Sequence, residues 1–213
     1  MIHYFNAGGI FMWVILLASI CGFAVILEKL FIFLTSEKNF TEEYKEKLYR
    51  VLKNGKKKDI LDLCKNKNDT ISKLVVNTVE NSDINFDEIE HLNKQCIEEI
   101  ITANILEQTI KLEKGMWLLG AVVNTAPQLG LLGTVTGMIM SFSALNTGGV
   151  ENIGAVASGI SEALYTTAFG LMVAIPFLIF YNFFNKKIDH VVLEMEKVCL
   201  HFLNRLQNIH NGK

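Results

Sequence analysis

Two long stretches near the end of the chain contain no lysine or arginine, and they constrain the fold more than any other feature. No basic residue occurs between Lys114 and Lys186. The first stretch runs from Trp117 to Leu145 and the second from Gly154 to Asn185. Each exceeds the ~20 helical residues needed to cross a hydrocarbon core of ~30 Å. The sequence therefore predicts two transmembrane helices in this part of the chain.

A third apolar stretch lies near the N-terminus, where Ile10 to Leu27 is also long enough to cross a membrane. Half of the 213 residues are hydrophobic, a larger share than that of most globular domains. Glu28 and Lys29 follow this stretch, and the Lys29 side chain is expected to extend outward to the headgroups. We predict an all-α integral membrane protein with three transmembrane helices, whose long helices extend into a cytoplasmic helical domain.

The polar segment between the first and second apolar stretches predicts several helices. Thr41 to Leu63 has helical periodicity with a break at Asn54-Gly55, and Thr70 to Glu80 predicts a shorter helix. Residues 85–114 predict a long amphipathic helix. Its predicted packed seam consists of Ile89, Leu92, Cys96, Ile100, Ala103, Leu106 and Ile110.

The basic residues predict the orientation in the membrane. They flank the inner end of the first span, the start of the second and the end of the third, and none lies near the N-terminus or in the turn between the last two spans. The positive-inside rule therefore places the N-terminus and this turn in the periplasm and the C-terminus in the cytoplasm. The predicted segments are a first span (1–34), a cytoplasmic helical domain (35–114), a second span (115–146), a periplasmic turn (147–153), a third span (154–185) and a C-terminal cytoplasmic helix (186–213).

Small residues recur at steps of three and four in both C-terminal spans, so each helix has a face without large side chains. Such faces let helix backbones approach closely in lipid. We therefore assign a helix-packing role to Gly130, Gly133, Gly137, Ser141, Gly159, Ala163 and Gly170. Pro127 and Pro176 are predicted to kink their helices, because proline cannot donate the backbone hydrogen bond.

Polar residues within these spans are the candidate functional groups: Thr134, Glu162, Thr166 and Thr167. Thr134 lies near the middle of its span, where its hydroxyl could line a hydrated path or bond back to its own helix. Glu162 could be an interfacial carboxylate near the start of a helix, where the helix dipole favours negative charge. Alternatively, it could attract protons or cations in a pore, since ionisable groups at membrane depth are usually functional.

Motifs for enzymatic chemistry are missing from the sequence. There is no P-loop, no G-x-S-x-G and no H-E-x-x-H. The four cysteines are far apart and lack the spacing of a zinc site or a disulfide framework. The near-neutral net charge gives no reason to expect a nucleic-acid partner. The chain is therefore predicted to be no enzyme, with no metal and no cofactor.

Two sequence blocks resemble the MotA/TolQ/ExbB proton-channel family. One runs from Ala126 to Met138 and includes Gly130-Leu131-Leu132-Gly133-Thr134. The other runs from Ile160 to Pro176 and includes Thr166-Thr167-Ala168-Phe169-Gly170. Both blocks stand in the family's order and in the corresponding spans. Three apolar stretches match the ExbB/TolQ branch better than the four-span MotA branch.

The resemblance implies a subunit of an energy-transducing motor in the bacterial inner membrane. Family members form homopentamers, and an ExbD- or TolR-like single-span dimer occupies the central pore. Proton-motive force then drives TonB-dependent import or Tol–Pal envelope maintenance, through a TonB- or TolA-like protein. The resemblance also implies that Thr134, Thr167 and Glu162 belong to the polar lining of that pore, and membrane lipids surround the assembly.

The residues themselves leave two alternatives open. The chain could be a passive three-span scaffold whose small faces only assemble a complex, or it could be a self-contained ion channel. None of the three apolar stretches contains an aspartate. A partner that supplies the titrating aspartate would explain this, and the hypothesis is a polar lane of Thr134, Thr167 and Glu162 that faces it.

Overall fold

A computed structural model describes residues 9–35, 41–65, 67–81, 94–148 and 153–211. The described residues form helices with no strand: α1 (Gly9–Thr35), α2 (Glu42–Asn54), α3 (Lys57–Cys64), α4 (Thr70–Asn81), α5 (Lys94–Glu113), α6 (Met116–Gly148) and α7 (Ile153–Asn211). The apolar stretches form α1, α6 and the first part of α7, and all three helices are long and apolar enough to cross a membrane. The predicted all-α fold with three spans is confirmed. The predicted residues 85–93 and most of the turn at 147–153 lie outside the described ranges.

The chain divides into two compact units. The apolar unit comprises the chain up to Glu28 together with Gly115–Phe184. The polar unit comprises Lys29–Lys114 and the chain from Asn185 onward. Helix α7 contributes its first part to the apolar unit and its remainder to the polar unit, so one continuous helix belongs to both.

In the apolar unit, α1, α6 and α7 meet around small and branched side chains. Ile15, Ala126 and Ala174 form a buried cluster there. Gly22 of α1 faces the Phe177 ring so closely that a Cβ would collide with it. Large apolar side chains cover the outside of all three helices, which suits contact with lipid. Pro127 and Pro176 both lie inside continuous helices, and their predicted kinks stay predictions.

In the polar unit, α2 to α5 pack with the last part of α7. Tyr44, Leu48 and Leu52 form the buried face of α2, in agreement with the helical periodicity predicted for this stretch. In the part of α7 beyond Lys186, Met195 and Phe202 are both buried. Burial of these aliphatic and aromatic side chains is the main driving force for packing in water.

The predicted seam of α5 is wrong for the described residues. Leu106 and Ile110 are 60% and 61% exposed. The buried face instead comprises Ile97, Ile101, Asn104, Gln108 and Leu112. The Asn104 amide can be buried because its Nδ2 donates to Thr78 Oγ1 at 3.2 Å, which offsets the loss of water. The hydrophobic periodicity alone therefore predicted the wrong buried face for α5.

The expected outward position of Lys29 is also wrong. Its side chain is 1% exposed, and its Nζ donates to the backbone carbonyl of Leu112 in the last turn of α5. The final carbonyls of a helix lack partners within the helix and carry partial negative charge, so a lysine is stabilised there. Two residues beyond Glu113, Gly115 adopts φ +83°, a left-handed conformation that suits glycine and separates α5 from α6.

A buried polar network connects α2 with α7 inside the polar unit. The Glu194 carboxylate accepts hydrogen bonds from Lys197 Nζ at 2.9 Å and from the Tyr49 hydroxyl at 3.3 Å. Lys45 Nζ lies 3.7 Å from the same carboxylate. Burial and the nearby Glu194 charge raise the pKa of Tyr49 to about 12, so the phenol stays protonated and donates. Further along α7, Arg205 donates to the Leu52 carbonyl at 2.9 Å.

Candidate functional site: the contact between α6 and α7

Small residues bring α6 and α7 together as an antiparallel pair. A Cβ on Gly130 would lie 2.9 Å from the Thr166 carbonyl oxygen, and one on Gly137 would lie 2.6 Å from the Ala163 Cβ. Both distances are too short for real Cβ contacts. Four contacts define the register: Gly130 with Gly170, Gly133 with Thr166, Gly137 with Ala163, and Ser141 with Gly159. Within a single chain, the predicted packing residues of α6 thus meet Gly159, Ala163 and Gly170 of the predicted face of α7, and also Thr166.

Thr134 and Thr167 also meet across this contact. Thr167 Oγ1 donates to the Gly130 carbonyl of the opposite helix at 3.0 Å and lies 3.4 Å from Thr134 Oγ1. Thr134 Oγ1 donates to its own helix at Leu131, at 2.7 Å. Since each hydroxyl commits its proton to a carbonyl, each oxygen keeps lone pairs that can accept from water or from another donor. The pair therefore offers two adjacent acceptors near the middle of the apolar unit.

Thr166 occupies a different environment from its neighbour Thr167. Its side chain is 1% exposed, and its Oγ1 donates to the Ala163 carbonyl at 2.6 Å. Its Cβ faces Gly133, where an added methyl group would collide. Within the chain Thr166 is a packing residue, and its predicted position on a pore wall stays a prediction.

Glu162 is half-buried and lies apart from the threonine pair. It precedes Thr167 by five residues, so the two side chains point ~140° apart around α7. Glu162 instead shares a face with Phe169, which packs against the cluster around Ile15. Within the described chain, no hydrogen bond or ion pair reaches the Glu162 carboxylate. The structure thus brings Thr134 and Thr167 together and leaves Glu162 on another flank.

A group of polar side chains nearer the start of α6 was not among the predicted site residues. Asn124, Thr125 and Gln128 are all exposed, although they lie in a helix of membrane length. We call these three residues the polar turn. The available signal was the run of hydrophilic residues around Pro127, where polar groups interrupt an otherwise apolar stretch.

Metal chemistry has no support in the parts of the chain that the structure describes. No three His, Cys, Asp or Glu side chains there are close enough together to hold a metal ion. Cys64 and Cys199 are buried free thiols, and burial raises the pKa of both, that of Cys199 to about 12. They are therefore poor nucleophiles and poor metal ligands.

Comparison with known proteins gives a consistent result. Residues 66–197, more than half of the chain, match the profile of the MotA/TolQ/ExbB proton channel family. The chain is similar to the biopolymer transport protein ExbB of Xanthomonas campestris pv. campestris, with 38% identity over 48% of this chain and 40% of that protein. The Tol-Pal system protein TolQ of Pseudomonas aeruginosa is 43% identical over 38% of this chain and 36% of its own length.

A putative ExbB homologue of Methanothermobacter thermautotrophicus aligns over 92% of this chain and 67% of its own length, at 25% identity. The chain spans less than two thirds of the length of the ExbB protein from Xanthomonas that it matches. The profile match includes all of α6 and the part of α7 that carries Glu162 and Thr167. With three apolar helices of membrane length and a threonine pair at the contact of the last two, the chain belongs to the MotA/TolQ/ExbB proton channel family, in its ExbB/TolQ branch.

Proposed function

We propose that the chain is the proton-channel subunit of an inner-membrane motor that couples proton-motive force to work at the outer membrane. The observation that carries this proposal is the contact of Thr134 Oγ1 with Thr167 Oγ1, at 3.4 Å inside the apolar unit. Two hydroxyl oxygens with unused lone pairs can accept hydrogen bonds inside the membrane, where lipid offers no acceptor. Membership in the family gives this pair a context of proton conduction.

The proposed assembly is a homopentamer around an ExbD- or TolR-like single-span dimer. Such a partner would supply the aspartate that the three apolar stretches of this chain lack. In this proposal the partner's carboxylate takes up and releases protons beside Thr134 and Thr167. The reaction is proton transfer through the membrane with mechanical output, and the work is either TonB-dependent import or Tol–Pal maintenance. The N-terminus would be periplasmic and the C-terminus cytoplasmic.

In this proposal Glu162 is a second polar group on the proton path, separate from the threonine pair. Because it lies on another flank of α7, the three residues form one lane only if neighbouring subunits or the partner connect them. Five residues along a helix correspond to ~7.5 Å of rise between Glu162 and Thr167. Glu162 would then hold or attract a proton at the periplasmic side of the threonine pair.

The two alternatives make different predictions about the same residues. A passive scaffold was predicted to use its small faces to join subunits, but those faces contact each other within one chain. This favours the motor over the scaffold in that form. A self-contained channel would conduct protons without a partner.

The test begins with native mass analysis of the protein co-expressed with neighbouring genes that encode single-span proteins. The complex is then reconstituted into liposomes, and proton flux is measured for wild type, Thr167→Val, Glu162→Ala and the control Thr136→Val. Thr136 is a suitable control because its hydroxyl bonds only to carbonyls of its own helix, at Leu132 and Gly133. We expect Thr167→Val to lower flux at least about tenfold, a loss of ~1.4 kcal/mol, without loss of the partner.

Full flux in both Thr167→Val and Glu162→Ala would refute the polar lane. Flux from the chain reconstituted alone would favour the self-contained channel. An assembly that keeps its partner but conducts no protons under any applied gradient would favour the scaffold.

A further inference from the structure

The polar turn, Asn124, Thr125 and Gln128, is exposed on α6 and has no assigned role. It lies 8 to 12 residues from the helix start at Met116, or ~12 to 18 Å along the axis. In a helix that crosses the bilayer, this depth is within the hydrocarbon region. Apolar side chains surround it, since Leu131 and Leu132 on the next turn are exposed as well.

The hydrogen bonds of the polar turn are only partly satisfied by the chain. Asn124 Nδ2 donates to the Gly120 carbonyl and Thr125 Oγ1 to the Ala121 carbonyl, both at 2.8 Å. The Gln128 amide has no partner among the described residues. A primary amide has two donors and an acceptor, and lipid can satisfy none of them. Something other than lipid must therefore cover Gln128.

Other copies of this chain are poor candidates at this depth. The contacts of Gly130 with Gly170 and of Gly120 with Tyr181 place the polar turn level with residues 170–181 of α7. The large exposed side chains there are apolar: Leu171, Met172, Ile175, Leu178 and Ile179. Gly22 of α1 meets Phe177, and the exposed side chains around it are Leu17, Ile20, Cys21 and Phe23. None of the exposed side chains on these two surfaces carries an amide or a hydroxyl that could pair with Gln128.

We propose that the polar turn borders a water-filled vestibule that opens at the α5 end of α6, and that its ligand is water or hydronium. This inference rests on the proposed proton-channel function. The vestibule would form the part of the proton path between the α5 end of α6 and the threonine pair. Water at Gln128 would reach within ~9 Å of Thr134 along the helix axis. On the other side of the threonine pair, Glu162 lies ~7.5 Å from Thr167 along the axis of α7. The dry part of the path would therefore be short, with the threonine pair inside it.

A short water-free part of the proton path would determine where the membrane potential acts. A membrane potential falls mainly across the low-dielectric part of a path, because water on either side screens it. The driving force would then act on the proton close to Thr134 and Thr167, where the partner's carboxylate is proposed to lie. The polar turn itself would not need to bind a proton tightly, because it would only keep the vestibule hydrated.

The test is chemical labelling of introduced cysteines in the full-length protein, expressed with its gene neighbours. Gln128→Cys and Asn124→Cys are made in a Cys21→Ala, Cys96→Ala background that keeps the buried Cys64 and Cys199. The matched control is Val135→Cys, because Val135 is exposed on the same face two turns deeper. Inverted and right-side-out vesicles are treated with a charged, membrane-impermeant maleimide. Labelling of the background protein is subtracted.

We expect Gln128→Cys and Asn124→Cys to react at least about tenfold faster than Val135→Cys, since the reactive thiolate forms only where water reaches it. Reaction should occur in inverted vesicles, in which the predicted cytoplasmic side faces outward. Labelling of Gln128→Cys no faster than that of Val135→Cys would overturn the vestibule.

The labelling result does not depend on proton conduction, so the two proposals can fail separately. If Gln128→Cys reacts quickly but Thr167→Val keeps full proton flux, the vestibule stands and the proton lane fails. If Thr167→Val abolishes flux but Gln128→Cys is unreactive, the lane stands and the vestibule fails. As a second readout, Gln128→Leu should lower flux several-fold and Gln128→Asn should restore most of it, because the amide keeps the vestibule hydrated. Wild-type flux in Gln128→Leu would count against a vestibule that serves conduction.

Discussion

Helix α7 is held in opposite ways in the two units. In the apolar unit it meets α6 through residues without bulky side chains, so that Gly170 and Gly130 face each other directly. In the polar unit it meets α2 through large buried side chains and through the carboxylate of Glu194. One contact brings backbones together, whereas the other is made by side chains.

The solvent around each unit explains the difference. Lipid gives apolar side chains no reason to leave it, so helices associate there through close backbone packing and hydrogen bonds. Water drives Leu48, Met195 and Phe202 into a core, and that core can then enclose a paired charge. In the apolar unit, polar groups without a partner are costly in lipid and are therefore candidates for function. In the polar unit, a buried charged group such as Glu194 mainly stabilises the packing of the helices.

The largest expected effect comes from a large side chain placed in the backbone contact. A Cβ on Gly170 would lie 2.5 Å from the Ala126 carbonyl oxygen, so Gly170→Leu must separate α6 from α7. We expect a cost of about 3 kcal/mol or more, with most of the protein lost from the membrane fraction or aggregated in mild detergent. Size-exclusion chromatography of the extracted protein measures this.

The control uses the same substitution in the same helix. Gly154 has nothing within 4 Å of an added Cβ, so Gly154→Leu should leave extraction and elution unchanged. Equal behaviour of the two variants would show that the backbone contact does not hold the apolar unit together.

The next effect concerns the polar network on the other part of α7. Glu194→Gln keeps the size of the side chain but removes the charge that Lys45 and Lys197 face. We expect the free energy of unfolding to fall by about 2 kcal/mol. Deleting one partner of a buried ion pair costs about 3–5 kcal/mol, and the loss is smaller here because the amide still accepts a hydrogen bond. Denaturant unfolding in detergent measures it. Glu196→Gln, exposed on the same helix, should change stability by less than about 0.5 kcal/mol.

The same network predicts a pH dependence for the polar unit. Burial raises the pKa of Glu194, but hydrogen bonds from Lys197 and Tyr49 and the charge of Lys45 outweigh this and hold the pKa below its ordinary value of 4.5. A depressed folded-state pKa contributes stability that is present above the unfolded pKa and lost as the pH falls through the folded one. The stability difference between wild type and Glu194→Gln should therefore be constant at neutral pH and shrink below about pH 4.5. A difference that persists unchanged at pH 3 would contradict the assignment.

The different surroundings of the two units also explain which features could be predicted from the sequence. The three spans and the small faces follow from hydropathy and residue size, which lipid selects strongly. The buried face of α5 could not be predicted in this way, because Asn104 is buried by a partner on another helix, Thr78. The position of Lys29 depended likewise on a carbonyl 83 residues away in the chain. Hydrogen bonds between distant elements leave no local pattern in the sequence.

At the candidate site, the sequence predicted one polar lane of Thr134, Thr167 and Glu162, and it could not show how these groups divide around α7. Thr166 and Thr167 are adjacent in sequence, yet only Thr167 reaches across to the Gly130 carbonyl. Glu162 was expected in the same lane but lies ~140° from Thr167 around the helix. The exact rotation of α7 against α6 decides which of these groups meet, and the glycine contacts fix that rotation.

The smallest expected effect is that of Thr167→Val on stability, and it gives the sharpest distinction between structure and function. The variant loses the hydrogen bond to the Gly130 carbonyl, while the volume of the side chain hardly changes. Side-chain hydrogen bonds between helices in membranes contribute on average only about 0.6 kcal/mol. Thermal unfolding in detergent should therefore shift by no more than a few degrees, and Thr136→Val should shift still less.

A loss of proton flux of about tenfold or more, which corresponds to ~1.4 kcal/mol or more of transition-state stabilisation, would exceed this structural contribution. The Thr167 hydroxyl would then act on the proton or its carrier, since the packing of α6 on α7 would be nearly unchanged. Equal, small losses of stability and flux would instead assign Thr167 to helix packing, together with Thr166. Thr167→Ser separates the cases further: it keeps the hydroxyl but removes the methyl group, so it should retain flux if the oxygen is the functional atom and lose stability if packing is what matters.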